Sequence, residues 1–141
     1  MSRIVKASDE LINLFNSVRK KTTIPVWVQF ELLSNNKQKT LYKIMKTNNV
    51  VEVMTNGVNF AIIFNELIFN ELPDDMKVIA IDECLAGIYV NNYDNIYLEK
   101  PNFNTYISIL QKYGHDSIIR LHESIKSLYD VKKQNDDNNG V

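Results

Sequence analysis

Apolar residues near the start of the chain recur at the spacing of one helix face. Leu11, Phe15 and Val18 fall on a single stripe, so we expect a helix over residues 9–21 with that stripe buried. Ser8 precedes the stripe, and a serine in this position caps a helix by accepting a hydrogen bond from a free amide of the first turn. The chain therefore opens with an amphipathic helix.

The period changes from that of a helix to that of a strand after Pro25. Apolar and polar residues alternate over 26–32 and 40–47, which is typical of half-buried strands. We predict two further strands over 50–55 and 58–64, with Asn-rich turns between the segments. Four consecutive strands indicate a mostly antiparallel meander, and its last member, which is apolar on both faces, should lie centrally or under a helix.

Helical signals return in the second half of the chain. Pro73 can open a helix that Gly87 ends, because proline suits the first helical position and glycine the position after the last one. Two short strands should then form a hairpin, followed by two more helices. The predicted segments are a short helix or turn over 65–72, a helix over 73–86, a hairpin over 88–99, and helices over 103–114 and 116–133.

Length and composition agree with one domain. The 141 residues, 45% of them hydrophobic and 23% charged, are enough to enclose a core without disulfides or metals. We predict a single α+β domain over residues 1–133, in which a mostly antiparallel meander sheet packs against helices. Residues 134–141 are too polar to pack and are expected to form a disordered tail.

Charge and cysteine content narrow the classes of partner and compartment. Sixteen basic residues oppose 17 acidic ones, and the net charge of −1 gives no electrostatic reason for general binding to nucleic acid. The single cysteine, Cys84, cannot form an internal disulfide and suits a reducing compartment. No apolar run approaches the span of a bilayer. We therefore expect a cytoplasmic protein without a membrane partner.

Two adjacent acids interrupt an otherwise apolar helical segment. Asp82 and Glu83 point about a third of a turn apart, so at least one should border the buried side of the helix. A buried carboxylate without a partner is costly, and Lys77, Lys43, Lys46 and backbone amides are the candidate partners. We favour a structural pair on a narrow polar stripe, because carboxylates serve structure far more often than catalysis.

The order of elements around these acids resembles that of the phage-type metallopeptidases, small relatives of the zincin proteases. A strand, a short acidic and aromatic segment, a central helix with a glutamate in its middle, extended chain and a helix ending in KYG follow that order over residues 50–114. In that family the central helix carries a His-Glu-x-x-His motif. Its two histidines bind zinc, and its glutamate activates the metal-bound water.

The motif window of this chain, DECLA, departs from the family's pattern. Glu83 falls on the catalytic glutamate, but Asp82 falls on the first histidine and Ala86 on the second. Alanine cannot bind zinc, so the resemblance implies a zincin-like scaffold with no metal site, no cofactor and no peptidase activity. Glu83 would then be a remnant of a catalytic site, in a protein of a host cytoplasm or a virion.

The two histidines are the remaining candidates for a metal site. His115 and His122 share a helix face but lie roughly 10 Å apart along the axis, too far for one ion. Asp116, Glu123 or Glu83 can complete a site with only one of them. We favour structural positions for both histidines and expect no metal.

Two surfaces are candidates for binding a macromolecule. Lys43 and Lys46 lie on an amphipathic strand and can build a basic patch for nucleic acid, although lysines on a strand also discourage edge pairing. Tyr89, Tyr93 and Tyr97 concentrate aromatic area on the predicted hairpin, and tyrosine is enriched at protein interfaces. The tyrosines favour a protein partner.

We therefore expect a noncatalytic, phage-type protein that binds another protein, of phage or host origin, as an accessory or virion-associated factor. The first alternative is a nucleic-acid-associated accessory protein that uses Lys43 and Lys46. The second is a metal-dependent hydrolase built on Glu83. The sequence leaves the oligomeric state open.

Overall fold

The computed structural model describes residues 3–100 and 105–139, and these residues form the predicted α+β fold. Helices pack on a mixed four-stranded sheet, and a separate two-stranded hairpin lies beside it. The elements in chain order are β1 (Val5–Lys6), α1 (Asp9–Arg19), β2 (Gln29–Ser34), β3 (Tyr42–Lys46), α2 (Asn49–Met54), β4 (Val58–Phe64), α3 (Glu66–Phe69), α4 (Asp74–Leu85), β5 (Ile88–Val90), β6 (Ile96–Leu98), α5 (Ile107–Tyr113) and α6 (His115–Asn139).

The strand order of the sheet is β1-β2-β4-β3 rather than that of a meander. Strand β4 pairs in parallel with β2 and antiparallel with β3, so it lies between two strands that precede it in the chain. Its predicted central position is confirmed, and the predicted meander is wrong. The physical reason lies in the side chains: β4 is apolar on both faces, whereas β3 carries lysines that an edge position tolerates.

The segment that connects β3 to β4 is a helix, where the sequence predicts a strand over 50–55. The Asn48 side chain accepts a hydrogen bond from the Val51 amide at 2.9 Å and so caps α2. No residue of α2 is buried, so its valines gain nothing from the pleated packing that favours β-branched residues in strands. The local cap therefore overrides the strand propensity of the segment.

The core lies between one face of the sheet and the long helices. Ile62 and Phe64 of β4 are fully buried on this face. Leu11 and Phe15 of α1 pack into the same cluster, as the apolar stripe predicts. Helix α4 is the most enclosed helix, with eight buried residues. It is therefore the element whose polar side chains most need partners.

A buried glutamate fixes the start of α1. The backbone amide and the hydroxyl of Ser8 donate hydrogen bonds to the two carboxylate oxygens of Glu66, at 2.8 and 2.6 Å. The Ser8 hydroxyl oxygen in turn accepts from the Leu11 amide at 3.3 Å, which is the predicted cap. Glu66 opens α3, so this contact ties the first helix to the residues that follow β4.

The C-terminal helices differ from their predicted bounds. The predicted helix over 103–114 begins at Ile107, and its first two residues lie outside the described residues. Gly114, with a φ of 85°, ends α5 as predicted. Helix α6 continues to Asn139 through most of the segment predicted as a disordered tail, and residues 140–141 lie outside the described residues. None of the helices in the described part of the chain combines the length and apolar character needed to cross a bilayer.

Gly87 is required by close packing. It follows α4 as predicted but does not have a positive φ, so conformational freedom is not the reason for glycine here. A Cβ atom at this position would meet the Tyr106 hydroxyl and lie 2.8 Å from the carbonyl oxygen of Glu99. The chain that enters the hairpin therefore has no room for a side chain.

We expect Gly87→Ala to lower the free energy of unfolding by about 1–3 kcal/mol, because overpacking forces neighbouring atoms apart. Urea denaturation measures this change. Adding Tyr106→Phe, which removes the hydroxyl in contact, should recover part of the loss in the double variant. A Gly87→Ala protein as stable as the parent would contradict the close approach.

Candidate functional site

The two adjacent acids of α4 are both buried. Asp82 is 6% exposed and Glu83 is 5% exposed, so neither lies on a solvated polar stripe. Each carboxylate has its own hydrogen-bond partners, and those partners come from different elements of the fold. The acids therefore form two separate polar contacts within the core.

Asp82 joins α4 to α5. Its Oδ2 atom accepts hydrogen bonds from the Lys112 ammonium and from the Tyr113 hydroxyl, both at 2.5 Å. The hydrogen bond that Lys112 donates to Asp82 is the main cause of the raised pKa of Lys112. Burial, followed by the hydrogen bond to Asp82, raises the pKa of Tyr113. Lys112 is therefore a cation that neutralises the carboxylate, and Tyr113 is a neutral donor.

Glu83 joins α4 to β3 and α6. Its Oε1 atom accepts a hydrogen bond from the Tyr42 hydroxyl at 2.9 Å, and its Oε2 atom lies 2.8 Å from Nε2 of His122. Burial and the nearby carboxylate raise the pKa of Tyr42, which therefore stays protonated. The hydrogen bond of the imidazole to Glu83 raises the pKa of His122 and outweighs the opposing effect of burial. The half-buried imidazole therefore holds its proton more tightly than a free histidine does, and in its protonated form it is a positive partner of this carboxylate.

The partners that the sequence suggests for these acids lie elsewhere. Lys77 is 3.8 Å from Asp74, one turn away on its own helix, and Lys43 is exposed. Lys46 donates a hydrogen bond to the Ile96 carbonyl oxygen at 2.8 Å. The observed partners are 30 to 41 residues from the acids in sequence, so no periodic pattern links them.

The residues at the two histidine positions of the motif do not fit a zinc ion. Ala86 has no ligand atom, and Asp82 is engaged by Lys112 and Tyr113. His122 is held by Glu83, while His115 is exposed at the start of α6. Within residues 3–100 and 105–139, no three His, Cys, Asp or Glu side chains come together as a metal site would require.

Cys84 is a core residue rather than a reactive thiol. It is completely enclosed on α4, and burial raises its pKa, so the thiolate needed for nucleophilic attack is not formed near neutral pH. Its side chain packs among the apolar residues of the main core cluster.

The predicted hairpin exists, and its tyrosines face solvent. Tyr89 and Tyr97 are directly opposite each other on β5 and β6, with ring centroids 6.1 Å apart. They are 53% and 47% exposed, and Tyr93 in the turn is 86% exposed. On the other face of the hairpin, Ile96 packs with Val28 and Phe60 in a second apolar cluster. The hairpin is therefore anchored on one side and presents aromatic rings on the other.

The two lysines predicted to build a basic patch do not lie on one surface of the sheet. Lys43 and Lys46 are three residues apart on β3, so their side chains leave opposite faces of the sheet. Lys46 lies against the hairpin through its bond to Ile96, and Lys43 is on the other face. Arg19, the last residue of α1, donates to the carbonyl oxygens of Pro25 and Val28, so its guanidinium holds the loop that follows the helix.

Comparisons with known proteins gave no relative: no protein-family model, no curated protein and no solved structure matches this chain. The site must therefore be interpreted from its own geometry.

We expect His122→Ala to lower the free energy of unfolding by roughly 1–3 kcal/mol, because it leaves a buried carboxylate with Tyr42 as its remaining partner. Urea denaturation at about pH 6, below the unfolded pKa of histidine, measures the loss. The matched control is His115→Ala on the same helix, where the side chain is exposed. Equal losses in both variants would contradict the role of the Glu83 contact.

The same contact predicts a pH dependence. The pKa of His122 is raised in the folded state, so that state binds the proton more tightly than the unfolded chain. The resulting stabilisation is complete below about pH 6.5 and is lost as the pH rises through the raised pKa.

We therefore expect the stability difference between the parent and His122→Gln to shrink as the pH increases above about 6.5. Denaturation series at matched ionic strength measure this difference. A difference that grows with pH would show that His122 is not held as a cation.

Proposed function

We propose that this chain is a noncatalytic, phage-type protein on a zincin-like scaffold, which acts by binding another protein of phage or host origin. It would serve as an accessory or virion-associated factor in a host cytoplasm or a virion. The observation that carries the binding role is the anchored hairpin, because it holds Tyr89, Tyr93 and Tyr97 toward solvent.

The hydrogen bonds of the two acids support a noncatalytic role. A glutamate that activates water needs an oxygen free to face the reacting molecule. Both oxygens of Glu83 have partners within the fold, and the side chain is almost fully enclosed. Asp82 is neutralised in the same way by Lys112, so the motif window serves to join elements of the fold.

The chemistry of the hairpin supports a protein partner. Each tyrosine ring offers apolar area for burial, and each hydroxyl can still find a hydrogen bond at the edge of an interface. Tyr89 and Tyr97 already contact each other as a cross-strand pair, so little side-chain freedom is lost when a partner covers them. Apolar packing on the opposite face keeps the strands in place.

We expect the double variant Tyr89→Ser with Tyr97→Ser to lose a protein partner that the parent retains after nuclease treatment. The measurement is a pull-down of tagged protein from a lysate of its native source, followed by quantitative mass spectrometry. The matched control is Val53→Ser, which removes an exposed apolar side chain on α2 instead. Partner binding that survives in the tyrosine variant would contradict a role for the hairpin.

Two further measurements separate the proposal from its alternatives. Bound zinc, together with a hydrolytic activity that Glu83→Gln abolishes, would favour a hydrolase. Loss of all partners on nuclease treatment, with a steep salt dependence, would favour nucleic acid. Lys43→Ala is the clean probe for that case, because Lys46→Ala would also remove the bond to the hairpin.

A further inference from the structure

A cleft lies between α5 and α6, next to the buried acids. Its volume is about 480 Å³, within the usual size of small-molecule sites. Leu110 and the buried Ile118 form apolar walls, and Ile119 lies at the exposed rim. Such a cleft can enclose a ring or a short aliphatic chain, because those walls remove apolar surface from water.

Thr105 provides an unpaired polar group in the wall of this cleft. The residue is 4% exposed, and its hydroxyl oxygen has no hydrogen-bond partner among the described residues. A buried hydroxyl without a partner is unfavourable, and most buried polar groups in proteins are paired. The oxygen is enclosed in the wall, so it gains this bond when the Thr105 side chain turns about χ1 toward a molecule in the cleft.

His122 contributes a second polar group at the same place. Its Nε2 atom is engaged by Glu83, so Nδ1 is the ring nitrogen left for another partner. Glu83 holds the ring through its Nε2 atom, as an orienting carboxylate does in many histidine sites. The cleft thus combines apolar walls with a buried hydroxyl and an oriented imidazole.

The charges around the cleft disfavour an ionic ligand. Glu123 at the rim adds a negative charge that would repel anions, and the imidazole rings of His115 and His122 line the same cleft. Either ion would lose hydration against the apolar walls, and a buried charge without a paired counter-charge is costly. A neutral molecule avoids both penalties.

We propose that this cleft binds a neutral small molecule with a mainly apolar body and one hydrogen-bonding head, such as an aromatic or aliphatic alcohol. The body contacts Leu110, Ile118 and Ile119, and the head bonds to Thr105 and His122. The proposal concerns α5 and α6 alone and does not depend on the tyrosine hairpin.

The test is a nuclear magnetic resonance titration of the full chain with benzyl alcohol. We expect saturable shifts of amide signals confined to α5 and α6, with an affinity in the millimolar range or better, as suits so small a ligand. Absence of saturable shifts up to the solubility limit overturns the proposal. Shifts spread evenly over the whole chain overturn it as well.

Substitutions at the rim test the location. Ile119→Trp should fill the cleft and abolish binding without altering the core, because Ile119 is 40% exposed. Val131→Trp is the matched control: it places the same side chain at a residue 52% exposed and roughly 18 Å farther along α6. Unchanged binding in Ile119→Trp overturns the proposed site.

Substitution of the hydroxyl and a change of ligand charge test the chemistry. Thr105→Val keeps the shape of the side chain and removes its hydroxyl. It should therefore lower the affinity for benzyl alcohol by about 2- to 10-fold and leave the affinity for toluene unchanged. Benzoate and benzylammonium should bind more weakly than benzyl alcohol to the parent. Tighter binding of either ion, or an unaffected alcohol in Thr105→Val, overturns the assigned ligand class.

Discussion

The burial of two neighbouring carboxylates on α4 is the constraint on which the rest of this structure depends. An unpaired carboxylate in a core is so costly that it would become protonated or destabilise the fold. Asp82 and Glu83 avoid this cost because Lys112, Tyr113 and His122 reach them from the last two helices, and Tyr42 reaches Glu83 from β3. The polar contacts thus require three other elements to be in place around α4.

Other polar contacts in the core join elements in the same way. Glu66 accepts both hydrogen bonds of Ser8 and connects α3 to the start of α1. Arg19 donates to the Pro25 and Val28 carbonyl oxygens and holds the loop that leads into β2. Since directional bonds specify geometry more sharply than apolar contacts, these groups select one arrangement of helices and sheet.

The same contacts separate the parts of the molecule that support structure from those that can bind. A glutamate bonded to Tyr42 and His122 is committed to the fold, whatever its place in a resembling motif. Tyr89 and Tyr97 lie on the solvent face of a hairpin whose other face is packed. Their rings therefore contribute less to the stability of the fold than the bonded acids do. The tyrosine rings of the hairpin are therefore exposed, whereas the carboxylates of the two acids are enclosed.

Local signals predicted the local structure well. Ser8 and the stripe through Phe15 specify α1, and Pro73 and Gly87 bracket α4, because caps and periodicity act over a few residues. One segment that differs is α2, where the Asn48 cap competes with β-branched residues and burial does not favour the strand. Another is residues 134–139, which continue α6.

The sequence by itself determined the α+β class, the central place of β4 and the tyrosine hairpin. It also shows alanine at residue 86, where the resembling motif has its second histidine. Only the tertiary structure decided the strand order and the partners of Asp82 and Glu83. Those partners lie 30 to 41 residues away, and pairing over such distances follows from how whole elements pack, which no short-range pattern encodes.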